Sequence, residues 1–518
     1  VKLPIPSTPH SPLACLIALA AGAINVLAFA PFGLWPLQIA TLALLFGLLN
    51  RESTFKHGAL LGWAYGTGWI VAGVHWLYIS MHRYGGLPGW MAVVAVVLLG
   101  VGLSVFTALG TGTAAALKKR FSLPPTAFLL LAMPAAWTLI EWTRGWIFTG
   151  FPWVSSGYAH TAGPLAGYAP LIGVYGIALV SAWIAGCLAL LPVRKLPLAG
   201  AVALLAAGLG LRGIDWTQPH GQPVSVRLLQ GNVPQEMKFL PGQIEAALAL
   251  YHGMITEQPA DLIATPETAI PLLSTQLPPD YLPLLSDFAT RSKSHIALGI
   301  PISDGPRLYA NSVLGLAPGA DKPYRYDKHH LVPFGEFIPP GAQWFVRMMK
   351  IPLGDFSRGE LLQAPFNVRD QRVLPNICYE DLFGEEIAAQ LGASRDGRLP
   401  EATILLNVSN IAWFGDSIAL PQHLQISQMR SIETGRPMLR STNTGVTAVI
   451  GPKGEVSAQL PPFEKGVLAA TVQGYHGLTP YSLYGNMPAI AIAILLLLVA
   501  RFWGLTKGNN PHKPLETR

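Results

Sequence analysis

Three residues in the C-terminal half are of types that could carry out acyl chemistry together. Glu267 follows the apolar run DLIAT in DLIATPET (261–268), Lys328 lies in YDKHHLVPFGEFIPP (326–340), and Cys378 follows VLPNI in VLPNICYE (373–380). A carboxylate can take a thiol proton, the sulfur can attack a carbonyl, and a fixed ammonium can stabilise the oxyanion that forms. Taken singly, each has a plainer reading: a helix N-terminal charge, a small buried apolar side chain, a solvated lysine. The acids after Cys378 in NICYEDLFGE make a thiolate harder to form, so this cysteine needs a base and a cation from elsewhere in the chain. His295, His329, His330 and His423 are available. None has metal-ligand spacing, and each reads as satisfying a local hydrogen bond.

The elements that must hold these residues begin near position 220. Short β-rich runs, VSVRLLQGNV (224–233), DLIATPET, HIALGIPIS (295–303), VLPNICYE and ATILLNVSN (402–410), alternate with helix-length stretches such as GQIEAALALYHGMI (242–255) and LPQHLQISQMRSIETGRP (420–437). Strands alternating with helices predict a layered α/β domain. Polar groups gather where the runs end, at Glu267, Cys378, Ser409 and Asn410, the edge at which such domains commonly build sites. In RSTNTGVTAVIGPKGEV (440–456) the glycines predict a hairpin around 451–454. An extended 378–380 would set Cys378 and Glu380 on one face with Tyr379 on the other, so Glu380 is expected to pair with Lys328.

Composition sets this domain in a different solvent from that of an ordinary enzyme. The 518 residues are 51% hydrophobic and 12% charged, about half the roughly 25% charge usual in soluble domains. Residues 220–480 carry 24 of the 28 acids but 20 of the 35 bases, a net −4 against +11 for the rest of the chain. The bases outside that stretch sit singly or in short groups between apolar runs, which marks topology signals and not the basic stripe that nucleic acid needs. Three cysteines, two of them in apolar runs, form no disulfide framework.

About eight apolar runs approach the roughly 20 residues a bilayer crossing requires: 11–30, 34–49, 57–79, 88–117, 124–142, 164–193, 196–213 and 484–502. The expected division is 1–213 for N-terminal transmembrane helices, 214–483 for the α/β domain, and 484–518 for a last span and tail. With both termini cytoplasmic, twelve of the fifteen bases outside 220–480 fall on the cytoplasmic side, as the positive-inside rule asks. The first span is read as retained because a second follows it almost at once. Glu141 and Arg144 read as an interfacial ion pair. WIFTGFPW (146–153) reads as an aromatic belt or a lipid entrance. AQWFVRMMKIPLGDF (342–356) reads as a lid or interface-dipping arm, or as ordinary core.

Glu267, Lys328 and Cys378 in this order and spacing resemble the Glu-Lys-Cys triad of the nitrilase superfamily, which implies an αββα sandwich. With the flanking spans, QGNVPQ (230–235), HLVPFGEFIP, NVSNIAWFGDS (407–417) and GRPMLRSTNTGVTAVIGPKG (435–454) added, nearly the whole chain resembles the bacterial apolipoprotein N-acyltransferase family. The sequence departs from that pattern at Ile411, where the family often has an acid, and near Phe239, where it commonly has tryptophan.

The resemblance implies a ping-pong transfer of an acyl chain from a membrane phospholipid, through a Cys378 thioester, to the N-terminal amine of a diacylglyceryl-modified apolipoprotein. It implies supporting roles for Glu336, Tyr379 and Glu380, and an inner-membrane location with the catalytic domain periplasmic. No phosphate loop, metal cluster or cofactor fingerprint is present in the sequence, so neither cofactor nor metal is expected. The competing readings are a membrane-anchored amidase, for which eight spans are more than an anchor needs, and a lipid- or lipoprotein-binding protein with an inert thiol.

Overall fold

The computed structural model describes residues 12–235, 241–305, 308–339, 341 and 356–508. Phe239 and residues 342–355 of the apolar, cationic stretch lie outside them. The chain divides into two compact units: Val1–His75 with Val93–Ile214 and Asn486–Arg518, and Trp76–Ala92 with Asp215–Gly485.

In the first unit each of the eight apolar runs is helical, with main helices Pro12–Ile24, Pro36–Leu49, Phe55–Val74, Gly89–Arg120, Met133–Arg144, Ala169–Leu190, Pro197–Leu211 and Met487–Gly508. Several begin with proline, whose missing N–H costs nothing in the first turn. Lys118, Lys119 and Arg120 end the longest helix, where cations suit the carbonyl end. Among the described residues, Gly89–Arg120, Pro125–Arg144 and Pro164–Leu190 are long and apolar enough to cross a membrane; Pro12–Ala28, Pro36–Leu49, Pro197–Leu211 and Met487–Trp503 are apolar but shorter. Glycines let two helices meet backbone to backbone: a Cβ on Gly22 would lie 1.9 Å from Tyr65 O, and one on Gly68 2.0 Å from Leu19 O. Small-residue seams of this kind suit packing in lipid, where no hydrophobic force pulls helices together.

Glu141 and Arg144, expected as an interfacial ion pair, are both buried and bond to the segment that follows their helix. Arg144 donates to Phe151 O at 2.5 Å, Trp153 O at 3.0 Å and Ser155 Oγ at 3.1 Å, while Glu141 accepts from Ser156 N at 2.8 Å. The pair thus pins the aromatic turn that follows its helix, with Trp153 buried and Phe148 93% exposed.

The second unit is a four-layer sandwich. One sheet runs β12-β1-β2-β3-β4-β5 and the other β11-β10-β9-β8-β7-β6. The strands are β1 Gln218–Gln230, β2 Leu262–Ala264, β3 His295–Gly305, β4 Leu308–Leu316, β5 Tyr324–Asp327, β6 Phe366–Val368, β7 Gln371–Ile377, β8 Ile404–Ser409, β9 Met438–Thr442, β10 Ala448–Ile450, β11 Val456–Gln459 and β12 Gly466–His476. Alternation along each strand builds the layers. Val226, Leu228, Ala264, Ala297, Val373, Ile404, Leu406 and Leu439 join in the core shared by the two sheets. Leu229, Ile263, Ile296 and Leu298 instead pack against Tyr251 and Ile255 of helix Pro241–Thr256 and Leu285 of helix Tyr281–Ser292. On the other outer face Leu374, Leu405 and Met438 meet Ile387 and Leu391 of helix Gly384–Gly392, with Leu424 of helix Ala419–Thr434. This is the expected αββα architecture. The expected hairpin joins β10 and β11, with Gly451 N bonded to Glu455 O at 2.8 Å.

Residues 76–92, between two apolar helices in sequence, pack with this second unit. The Trp76 ring lies 4.3 Å from that of Phe414 and donates Nε1–H to Gln422 Oε1 at 3.2 Å, and Tyr84 meets Trp413 edge-on at 5.5 Å.

Candidate active site

The side chains expected to act come from the ends of adjacent layers. Glu267 follows β2 through Thr265 and Pro266, and its course depends on Gly299 of β3. A Cβ there would lie 2.0 Å from Pro266 O, so only glycine lets the strand pass. Lys328 follows β5 and is fixed by its backbone, with Lys328 N bonded to Asn311 O at 2.8 Å and Gly359 N to Lys328 O at 2.9 Å. Cys378 follows β7.

Lys328 Nζ lies 3.1 Å from Glu267 Oε1 and 2.9 Å from Glu336 Oε1, with the lysine side chain 1% exposed. Asn311 Nδ2 donates to the same two oxygens at 2.8 Å each. Two buried carboxylates therefore share one ammonium and one amide. The other Glu267 oxygen accepts the Asn410 backbone N–H at 2.9 Å. Asn410, expected only as a polar strand end, thus holds Glu267 through its backbone, and the charges of Glu267, Lys328 and Glu336 all act on the Cys378 thiol.

Charges at the site follow from burial and these contacts. Burial drives the Cys378 thiol well above its ordinary value, and the Glu267 and Glu336 charges add to the rise against the opposing pull of Lys328. At rest the sulfur is protonated. Burial acts to lower Lys328, but the charges of Glu267 and Glu336 outweigh it and the net shift is upward, so the ammonium persists.

The expected Glu380–Lys328 pair does not form. β7 ends at Ile377, and 378–382 is a tight 3₁₀ turn, so strand alternation no longer sets the face. Glu380 instead accepts N–H bonds from Ile377 at 2.6 Å, His329 at 2.7 Å and His330 at 3.2 Å, and the Tyr326 hydroxyl at 3.1 Å. It ties the Cys378 turn to the backbone just beyond Lys328, while Glu336 takes the direct ion pair. Glu336 itself is held by Val332 N at 2.9 Å. Tyr379 is buried, its ring 5.8 Å from His330 and 5.2 Å from Phe383. Ile411, the departure from the family pattern, is buried with its side chain toward Gly445.

Sequence reasoning missed Asn311, although a polar residue inside the apolar strand run LYANSVLGL was a usable signal. An amide ladder behind the site was also hidden. Asn443 Nδ2 donates to Asn410 Oδ1 at 3.1 Å, and Asn410 Nδ2 to Gln235 Oε1 at 2.8 Å, joining loops far apart in the chain. Among the described residues no His, Cys, Asp and Glu side chains group as a metal centre.

Comparison with known proteins bears on the whole chain. The apolipoprotein N-acyltransferase N-terminal domain family matches residues 21–187, and the carbon-nitrogen hydrolase family matches 226–481. The chain is 52% identical to the apolipoprotein N-acyltransferase of Ralstonia nicotianae over 95% of its own length and 92% of that protein. It is 45% identical to that of Nitrosomonas europaea, over 95% and 98%. A solved amidase of the nitrilase superfamily from Nesterenkonia AN1 is 19% identical, with a TM-score of 0.34 over 49% of this chain and 92% of the amidase. On the strength of these full-length matches, the chain belongs to the apolipoprotein N-acyltransferase family.

Proposed function

We propose that the protein moves an acyl chain from a membrane phospholipid to the N-terminal amine of the lipid-modified cysteine of apolipoproteins, in two half-reactions through Cys378. In the first, Glu267 takes the Cys378 proton as the sulfur attacks the ester carbonyl. The tetrahedral oxyanion is stabilised by Lys328, and collapse breaks the C–O bond, with Glu267 returning the proton to the glycerol oxygen that leaves. A thioester and a lysophospholipid result. In the second, Glu267 takes a proton from the attacking amine, the C–S bond breaks, and the proton returns to the sulfur.

The observation that carries this reading is the Glu267–Lys328–Glu336 cluster, whose three charges act on the Cys378 thiol. It supplies a base, a persistent cation and a neutral nucleophile within one site. The cation acts twice, because each half-reaction passes through an oxyanion. Eight crossings with both termini cytoplasmic, and the α/β unit on the periplasmic face of the inner membrane, complete the proposal. Both substrates have chains dissolved in the bilayer, and extracting them would cost about 0.8 kcal/mol per CH₂.

Intact-protein mass spectrometry after incubation with phospholipid alone should show one acyl group on Cys378, removed by hydroxylamine and absent in Cys378→Ser. A Cys378→Ala protein that still completed N-acylation of a lipoprotein would end the proposal. An adduct that formed but passed only to water or ammonia would favour an amidase.

A further inference from the structure

Behind the Cys378 turn lies a buried polar cluster that the mechanism above does not use. His423, on helix Ala419–Thr434, is 1% exposed, and its Nε2 lies 3.3 Å from the Cys378 carbonyl oxygen. Its Nδ1 lies 3.1 Å from Arg440 Nη2, on β9. An arginine can only donate. Nδ1 must therefore be the acceptor, which leaves the ring proton on Nε2, aimed at the carbonyl. Arg440 is itself fully buried and held by Asp381 Oδ2 at 3.1 Å, and Asp381 belongs to the same tight turn as Cys378. Burial, and then the Arg440 charge, keep His423 well below the usual histidine range, so the ring stays neutral. A second donor, Asn407 Nδ2, reaches the same carbonyl at 3.4 Å.

That carbonyl needs holding. Cys378 has φ +53, a left-handed conformation that costs a residue with a Cβ about 1–2 kcal/mol. The peptide unit is also rigid and trans, so its C=O and the next N–H point in opposite directions. Whatever fixes the Cys378 carbonyl also fixes the direction of the Tyr379 N–H.

We infer that His423 is a positioning residue for acylation: through an Nε2–H bond whose tautomer Arg440 dictates, it clamps the Cys378–Tyr379 peptide in the orientation that the ester's oxyanion requires. The inference rests on the proposed thioester chemistry, but its test does not need the natural acyl donor.

The test uses full-length protein in detergent with two variants. His423→Gln keeps both functions, because Oε1 can accept from Arg440 while Nε2 reaches the carbonyl. His423→Asn keeps an acceptor for Arg440 but is too short to reach Cys378. Two reactions at the sulfur are followed. Acylation by p-nitrophenyl butyrate passes through an oxyanion; alkylation by iodoacetamide does not. His423→Asn should slow acylation by about 100-fold, as a misplaced oxyanion donor does, while alkylation changes less than about twofold and His423→Gln restores most of the acylation rate. Wild-type acylation by Asn, equal loss of both reactions, or failure of Gln to restore the rate would each overturn the clamp. A wild-type protein that reacts with the activated ester but never with phospholipid would count against the proposed donor and leave the clamp standing.

Discussion

At the scale of single residues, the site is a problem of charge balance. Two carboxylates, Glu267 and Glu336, converge on Lys328, so the lysine is a counter-ion as well as the oxyanion donor of the proposed mechanism. Lys328→Met should lower acylation by about 10²–10³-fold. It should also destabilise the protein by about 3–5 kcal/mol, because buried carboxylates are left without their cation. Adding Glu336→Gln should recover most of the thermal midpoint and none of the activity; identical midpoints for the single and double variants would refute the counter-ion account. Glu380 offers a pH test. Burial pushes it up to about 7, against the Ile377 N–H and the Lys328 charge. A folded value above the unfolded one, roughly 4.3, means that its stabilising contribution is complete below that lower value and is lost as pH rises through about 7. Glu380→Gln removes this dependence, so the variant should gain thermal midpoint relative to the wild type between pH 5 and pH 8. A pH-independent offset would show that Glu380 does not titrate there.

At the scale of elements, the strands expected from short apolar runs are present as β1, β2, β3, β7 and β8, because burial on alternating faces writes a period into the sequence. The end of β7 was not legible. Nothing local marks Ile377 as the last strand residue, since the turn is stabilised by Glu380 reaching back to Ile377 N and across to His329 N, and the second of those partners is remote in sequence. Gly299 belongs to the same class: its necessity appears only when Pro266 is seen against it. Gly299→Ala should force β2 and β3 apart at the base of Glu267, costing about 1–3 kcal/mol as overpacking does. Displacing the base should cut thioester formation by about 10²-fold. Single-turnover mass spectrometry and a melting curve would check both, and a variant with wild-type kinetics would show that this close approach does not set the position of Glu267.

At the scale of the whole molecule, the chain separates into a charge-poor helical unit and a charged sandwich. The segment 76–92 is the exception. Its sequence reads as a loop and the edges of two spans, yet Trp76 and Tyr84 pack on Phe414 and Trp413. The proposed topology predicts that K119C and R398C, each in a chain with Cys15 and Cys187 replaced by alanine, lie on opposite sides of the membrane. With Cys378 also replaced by alanine, a membrane-impermeant maleimide should label R398C in intact spheroplasts and K119C only after lysis. Labelling of both before lysis would require an odd change in the number of crossings.

The sequence by itself determined the contrast between charge-poor apolar runs and a charged stretch, and the layered α/β class, and it marked Glu267, Lys328 and Cys378 as candidates, because hydropathy, periodicity and motif order are properties of the chain read locally. Only the tertiary structure decided how charge is shared among them: that Glu336 and not Glu380 pairs with Lys328, that Asn311 and the Asn410 amide complete the cluster, and that His423 reaches the Cys378 carbonyl. Hydrogen bonds and ion pairs depend on separations of about 3 Å, and in this fold those separations arise between residues drawn from different strands, turns and helices, which no local pattern records.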